Sequence, residues 1–594
     1  MEIKTDKILK TKSICIESKE KKKNLWPNGI DKKGKERFLE WCLCFLVINF
    51  DIKLGQDLKI IYPYFNFSEE EKKNICFSSF PDSNSIGEEN IIYSFRTRLN
   101  TLKKAIYNFD TNENFINGYV FFKQKRDPSS ERGYFQKSIV ILTVNSFPGI
   151  FSRIISILGQ KYFLNCDISV LESAVHYISN WPSLKSNFIL ELPFMENIYY
   201  TDIFPLSEES SNTKNLYYLK KTPTEKHICA FTFGAPLFSY FCNTIVSLYT
   251  LWEIILLGKP LLLLADTPNA STEMVLALID LIKPIKYSGD YRPYFTIQES
   301  DFTMFSNHTH ILYKSVVLGV TNPVITKFFE NVYNIVLIKK AKDKSNEKNE
   351  NSIKQYPIVI KPTLKFIHQR MTAKDKKFLQ KISNIRLNLL LKDDYIVLNN
   401  FLLSYFSKLT KDFLIPINNY LYTLMPTEIN IFKGIPKLKP FKEQEFLNSL
   451  TFYKPYIVFK KSTNRSRSHT SRLFYGMFLK SPNFFNYLLE KQKILSTELT
   501  QKYFEYLCTM DIKEKKEEKN IFDIIRLLKY IDKILDYNGE VISENRIIEC
   551  IKTTKYEDKD LNISIDYPVK LSHEKIKLLN IQRKILNDII NDIV

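Results

Sequence analysis

Apolar positions first become continuous at Trp41–Asn49, a run of strand length. The polar segment FDIKLGQ (50–56) turns the chain there, with Gly55 free to take positive φ. Leu58–Tyr62 then reads as a returning strand, ended by Pro63. Ser68 followed by Glu69, Glu70 and Glu71 predicts a short helix, because acids suit the positive end of the helix dipole. Three further strands are expected at Tyr93–Arg98, Tyr119–Lys125 and Ser138–Val144. From Pro148 the period becomes helical: Ile150, Phe151, Ile154, Ile155 and Leu158 mark one face, and a second helix is expected around Ser169–Ile178. Ahead of all these, residues 1–35 are polar and Lys-rich and read as a flexible tail, with structure beginning near Phe38.

The polar stretch 205–225 reads as a linker, and beyond Cys229 the pattern changes. Ile245–Leu257 is apolar nearly all round, which predicts a buried helix stopped by Gly258 and Pro260. Leu261–Ala265 is a buried strand. Thr267 and Pro268 then open a helix that runs to Ile282 and ends before Pro284. Tyr291–Thr296, Ser315–Val320 and Asn334–Ile338 read as strands, with a helix across Asn322–Asn331. Helices alternating with buried strands predict a parallel α/β sheet. The charged segment 340–355 is a loop or linker. After Thr372 the pattern is helical, over Lys374–Leu391, Tyr395–Leu414 and a run around Pro416–Leu424, as in a helical bundle. NRSRSHTS (464–471) looks loop-like, 510–520 is a charged linker, and Ile521–Tyr537 and Glu574–Ile593 are two more helices. The expected fold class is therefore α/β followed by α, and the order of the first block (strand, strand, helix, three strands, two helices) suits a longin-like domain.

At 594 residues, 44% apolar and 14% aromatic, the chain exceeds a single core and packs as several domains. The net charge of +20 fits a solvated Lys-rich surface. The basic clusters KEKKK (19–23) and Lys103–Lys104 lack interleaved aromatics, so nucleic acid is not expected as a partner, whereas weak attraction to an anionic membrane surface is. The most apolar stretch, Leu251–Ala265, is interrupted by Glu253, Gly258, Lys259 and Pro260, and falls short of the roughly 20 residues that a membrane span needs. The opening MEIKTDKILK has no apolar signal core. Nine cysteines suggest no disulfide framework, and Cys42 and Cys44 belong to an apolar run, so a reducing cytosol fits.

Motifs for covalent chemistry are missing. Gly258-Lys259-Pro260 lacks the upstream glycine and the hydroxyl of a phosphate loop, and neither G-x-S-x-G nor H-E-x-x-H occurs. His308 and His310 would point the same way on a strand, but with only Asp301 acidic nearby in sequence a structural or solvated role is expected. Cys166 and Cys229 have no triad partner adjacent in sequence. No catalytic residue, metal or cofactor is expected.

Eleven strings come in order along the chain: FDIKLGQ (50–56), IYP (61–63), ICFSSFPDSN (75–84), GYV (118–120), RD (126–127), RGYFQKS (132–138), LWE (251–253), LGKP (257–260), YRPYFT (291–296), LGVTNP (318–323) and FLKSPNF (478–484). Together they resemble DENN-domain proteins of the sixth subfamily, over roughly residues 38–510. The resemblance implies a tripartite DENN module: a longin-like part at 36–205, a central parallel α/β part at 226–340, a linker at 341–356 and a helical part at 357–510. A basic tail (1–35) precedes it and a helical extension (511–594) follows. It also implies a cytoplasmic exchange factor for a Rab-type small GTPase, recruited to endosomes and acting by differential binding rather than covalent chemistry. The GTPase is expected between the longin-like and α/β parts, against Asp82, Ser83, Asn84, Asp290, Tyr291 and Arg292, although Asp, Ser and Asn equally serve to hold turns. Trp252 and Phe295 are expected in the core. The rival readings are a scaffold or effector that holds a Rab without exchanging its nucleotide, and a membrane-surface adaptor driven by positive charge.

Overall fold

The computed structural model describes residues 26–51, 55–82, 89–100, 115–128, 134–165, 167–184, 190–202, 227–230, 236–306, 315–340, 359–387, 392–450, 456–460, 464–510, 512, 521–537 and 572–593. Ser83, Asn84, Cys166, His308, His310 and the predicted linkers at 205–225 and 341–356 fall outside these residues.

Strands β1 (Cys44–Asp51), β2 (Gly55–Tyr62), β3 (Glu89–Arg98), β4 (Phe115–Arg126) and β5 (Tyr134–Thr143) form an antiparallel sheet in the order β2-β1-β5-β4-β3. Both faces are covered. Phe45 and Val47 point into one core with helices α1 (Lys32–Trp41), α3 (Pro148–Asn165) and α4 (Ser169–Ser179). Cys44, Leu46 and Ile48 point into a second core beneath helix α2 (Glu69–Ser78). Burial on two faces is why β1 reads as an unbroken apolar run rather than an alternating one. α2 opens with a capping box in which Ser68 and Glu71 satisfy each other's backbone N–H groups.

α1 corrects the expectation of a tail reaching residue 35. Asp31 caps it by accepting from the Gly34 N–H at 2.7 Å, and Phe38 and Trp41, three residues apart, are buried. The lysines on its other face hid this short apolar stripe. A small sheet not signalled by the pattern, β6 (Leu190–Phe194), β7 (Asn197–Asp202) and β8 (His227–Cys229), joins the same core through Leu190, Leu192 and Phe194.

The central module contains α5 (Pro236–Phe241), α6 (Ser247–Leu256), β9 (Leu261–Ala265), α7 (Pro268–Ile279), β10 (Asp290–Arg292), α8 (Phe302–Ser306), β11 (Val316–Val320), α9 (Val324–Phe329), β12 (Asn334–Lys340) and β13 (Val359–Lys365). The sheet order is β10-β11-β9-β12-β13. The first four strands are parallel, as expected, but β13 adds to β12 antiparallel, so the sheet is mixed. Hydrophobic pattern alone left 359–365 with the helical part; Pro362 fits an edge strand, where one ladder bond is dispensable. α6 is buried from Leu248 to Leu256 and ends as predicted at Gly258, which takes φ +64°.

The helical module comprises α10 (Lys376–Leu387), α11 (Lys392–Thr423), α12 (Glu443–Ser449), α13 (Asn464–Leu479) and α14 (Pro482–Thr509). Two expectations fail here. α11 runs straight through Pro416, because Phe413, Leu414, Ile417 and Leu421 are buried on both sides of it and outweigh the lost hydrogen bond. The segment 464–471 is the first half of α13, drawn into the helix by the buried Phe474, Tyr475 and Phe478 that follow. Helices α15 (Ile521–Tyr537) and α16 (His573–Ile593) pack on Tyr503, Phe504 and Leu507 of α14. Among the described residues, no helix is long and apolar enough to cross a membrane.

Candidate functional site

The first sheet ends at β3, and an edge strand leaves one row of N–H and C=O groups without strand partners. α7 meets that edge. The Thr272 hydroxyl donates to the Ser94 carbonyl at 2.9 Å and accepts from the Ser94 N–H at 3.2 Å, so one side chain satisfies both groups. Two residues on, Arg292 Nη1 donates to the Arg96 carbonyl at 3.1 Å. The two sheets are thereby joined by side chains of the central module.

Arg292 is the hub of this seam and is 1% exposed. Its Nε and Nη2 fork onto the Asp290 carboxylate at 2.9 and 3.2 Å, Nη2 also reaches Asp301, and Nη1 stands 3.6 Å from Glu299 Oε2. From β3, Arg98 Nη2 meets Asp290 at 3.0 Å. The Arg96 guanidinium lies between the rings of Phe115 and Tyr291, 3.8 and 4.0 Å from their centroids. Arg96 and Arg98 of β3 thus face Asp290 and Asp301 across the seam, with Arg292 set among the carboxylates on the central side. Burial works to raise Asp290, but Arg292, Arg96 and Arg98 outweigh it and hold the carboxyl below its ordinary value. Glu299 goes the other way: burial pushes it up to about 8, against the pull of Arg292. The difference is geometric, since Arg292 donates its hydrogen bonds to Asp290 and Asp301 and stands off from Glu299.

α2 runs along the same seam. Asn74 Nδ2 donates to Ser300 Oγ at 2.9 Å, the Ser300 N–H donates back at 3.3 Å, and Ser78 Oγ donates to Glu299 at 3.2 Å. Where the chain leaves α2, the Asp82 N–H donates to the Tyr294 hydroxyl. Thr321 Oγ1 donates to the Asp82 carbonyl, and Asn322 Nδ2 to its carboxylate, each at 3.2 Å. Tyr294 is buried edge-on against Tyr93, with ring centroids 5.0 Å apart. Three strings distant in sequence, ICFSSFPDSN, YRPYFT and LGVTNP, therefore meet at one place.

Of the six candidate contacts, Asp82, Asp290, Tyr291 and Arg292 lie on this seam. Their situations differ. Asp82 and Asp290 are partly exposed, Tyr291 covers Arg96, and Arg292 is enclosed and offers almost no outer surface. Pattern reading missed Thr272, Arg96, Arg98, Glu299 and Asp301. The available signal was Arg96 and Arg98 at alternate positions of β3, which places both on one face of the strand. Trp252 and Phe295 are core residues, and Cys42 and Cys44 are buried and free. The seam offers oriented charge and hydrogen bonds, and among the described residues no group of three His, Cys, Asp or Glu is placed to hold a metal ion.

No protein-family model matches the chain. Curated proteins do. The chain is 30% identical over 608 residues to "Protein DENND6 homolog" of Dictyostelium discoideum, covering 89% of this chain and 80% of that protein. It is 30% identical to "Protein DENND6A" of Mus musculus over 517 residues (83% and 84%) and to "Protein DENND6B" of Homo sapiens over 526 residues (85% and 88%).

Proposed function

The chain belongs to the DENND6 family of DENN-domain proteins, and on that premise we propose that it promotes GDP release from a Rab-type small GTPase. We take α1 to β8 (Lys32–Cys229) as the longin-like part, α5 to β13 (Pro236–Lys365) as the central part, the chain after β13 to 510 as the helical part, and 511–594 as an extension. The GTPase lies across the seam between the first two. Asp82, Ser83, Asn84, Asp290 and Tyr291 are its contacts, and Arg292 acts from inside by fixing the Asp290 carboxylate. The observation that carries this reading is the anchoring of Asp82: it belongs to the first module, yet its main chain and carboxylate are held by Tyr294, Thr321 and Asn322 of the central one. A residue of one module held in place by another presents a fixed surface, and a fixed surface can favour one conformation of a switch segment over another.

Exchange needs no covalent step. If the protein binds nucleotide-free GTPase more tightly than the loaded form, nucleotide affinity falls by the same factor. Its place of work is the cytoplasmic face of endosomes, where weak attraction of the basic surface to anionic lipid assists recruitment. The test is release of fluorescent GDP from a panel of purified Rabs, with and without the full chain. Accelerated release from one or two members is expected. Flat traces across the panel, with stable Rab binding retained, would replace exchange by a scaffold.

A further inference from the structure

A cavity of about 520 Å³ opens where the central and helical modules join, between the turn at 242–247, the end of β13 and α10. Small-molecule sites span about 300–1,000 Å³ and combine apolar walls with a few polar groups. Leu364, Phe366 and Leu379 supply apolar wall here. Arg370 and Thr244 interrupt it. The Arg370 Nε and the Thr244 hydroxyl are both buried without a hydrogen-bond partner. Buried donors left unpaired are rare in folded proteins, because desolvation goes uncompensated.

No ion pair between Arg370 and a described carboxylate relieves this. Glu253 is taken up by His368, by the Met371 and Thr372 N–H groups and by the Thr372 hydroxyl. Asp375 accepts from the Phe378 N–H at 3.1 Å. The other charges near Arg370 repeat its sign. Lys460 is tied beside it by an N–H donated to the Met371 carbonyl at 2.8 Å. Desolvation first, and then the Arg370 cation with Lys374, holds Lys460 below the ordinary lysine value.

We propose that this cavity binds a small anionic amphiphile, with a phosphate or carboxylate head on the Arg370 guanidinium and a short hydrocarbon body against Leu364, Phe366 and Leu379. The site is separate from the seam: β13 and β10 are opposite edges of the central sheet. Its existence does not depend on the exchange reading.

Octyl phosphate, titrated calorimetrically into the full chain, is the probe. One saturable site is expected, weakened at least tenfold in Arg370→Gln and abolished in Ser383→Trp, which fills the cavity from an exposed position of α10. Inorganic phosphate and 1-octanol should each bind at least tenfold more weakly than octyl phosphate. Phosphatidate-containing vesicles, compared with pure phosphatidylcholine, separate the two sources of such a head. Sedimentation that both variants abolish assigns the site to a membrane lipid, and octyl phosphate binding without sedimentation assigns it to a soluble molecule. Absence of octyl phosphate binding, unchanged binding in both variants, or equal binding of inorganic phosphate would overturn the proposal.

Discussion

Replacing Thr272 by valine keeps the branched shape of the side chain and deletes the one hydroxyl that serves both backbone groups of Ser94. That hydroxyl makes hydrogen bonds of 2.9 and 3.2 Å at a position where Ser94 is 4% exposed. A buried group left unpaired costs about 1–3 kcal/mol. Two groups then predict a loss of about 2–4 kcal/mol at the edge of β3, below the doubled upper limit because an opened edge admits water. Each 1.4 kcal/mol is tenfold, so β3 amides should exchange with solvent about 30- to 700-fold faster. Hydrogen exchange read by mass spectrometry on a peptide covering 89–98 measures this. Peptides from β1 and β5, which have strand neighbours on both sides, should keep wild-type rates. Thr272→Ser, which retains the hydroxyl, should stay within about threefold of wild type. The reasoning fails if β3 is unchanged in Thr272→Val, or if β1 and β5 accelerate as much as β3, since the loss would then be global rather than at the seam.

Arg292→Met removes the buried cation shared by Asp290, Glu299 and Asp301 and should lower unfolding stability by about 3–5 kcal/mol, read from the urea midpoint. Arg292→Lys should recover less than half of that, because an ammonium cannot fork onto Asp290 while reaching the Arg96 carbonyl. Glu299, pushed up from 4.5 to about 8, keeps in the folded chain a proton that the unfolded chain releases. Its contribution to stability is therefore full below the unfolded value and is lost as pH rises through the folded one. Urea titrations from about pH 5 to about pH 8 should show wild type losing up to about 1.4 kcal/mol per pH unit relative to Glu299→Gln; parallel pH profiles would refute the assignment. Gly319→Ala would place a Cβ 2.4 Å from the Pro293 carbonyl oxygen and 2.3 Å from Ser271 Oγ. Backbone must give way, so a cost of about 1–3 kcal/mol is expected, and a wild-type denaturation midpoint would contradict it.

The hydrophobic pattern located most elements because burial dictated them. α6, sealed on all sides, and α3, with its apolar stripe, each have a pattern that a strand cannot bury equally well. It failed where other terms ruled. α1 is half lysine face, β13 carries a proline, and α11 crosses Pro416 under tertiary packing. The seam was only partly legible. Asp82 and Asp290 stood in polar, loop-like strings, whereas Thr272 sits in an ordinary helical sequence and gains its role only because β3 ends beside it. Which side chain meets an unpaired strand edge depends on topology, and no local pattern encodes it.

Six of the eleven strings have a shared physical position, at joints between modules; ICFSSFPDSN is one of them through Asp82. LWE supplies Glu253, whose buried carboxylate takes His368, Met371 and Thr372. LGKP supplies Lys259, which meets His368 Nδ1 at 2.7 Å. FLKSPNF supplies Asn483, whose amide donates to the Ile255 and Leu256 carbonyls at the end of α6, while its oxygen accepts from the Ser288 N–H. YRPYFT and LGVTNP do the same work on the opposite side, toward the first module. A core leucine is replaceable by another apolar side chain of similar volume. A polar side chain that bonds two modules at once has no such substitute, because each alternative leaves a buried donor or acceptor unpaired. Positions of that kind fix the relative placement of three modules, and it is relative placement, more than any single fold, that a surface assembled from two modules requires.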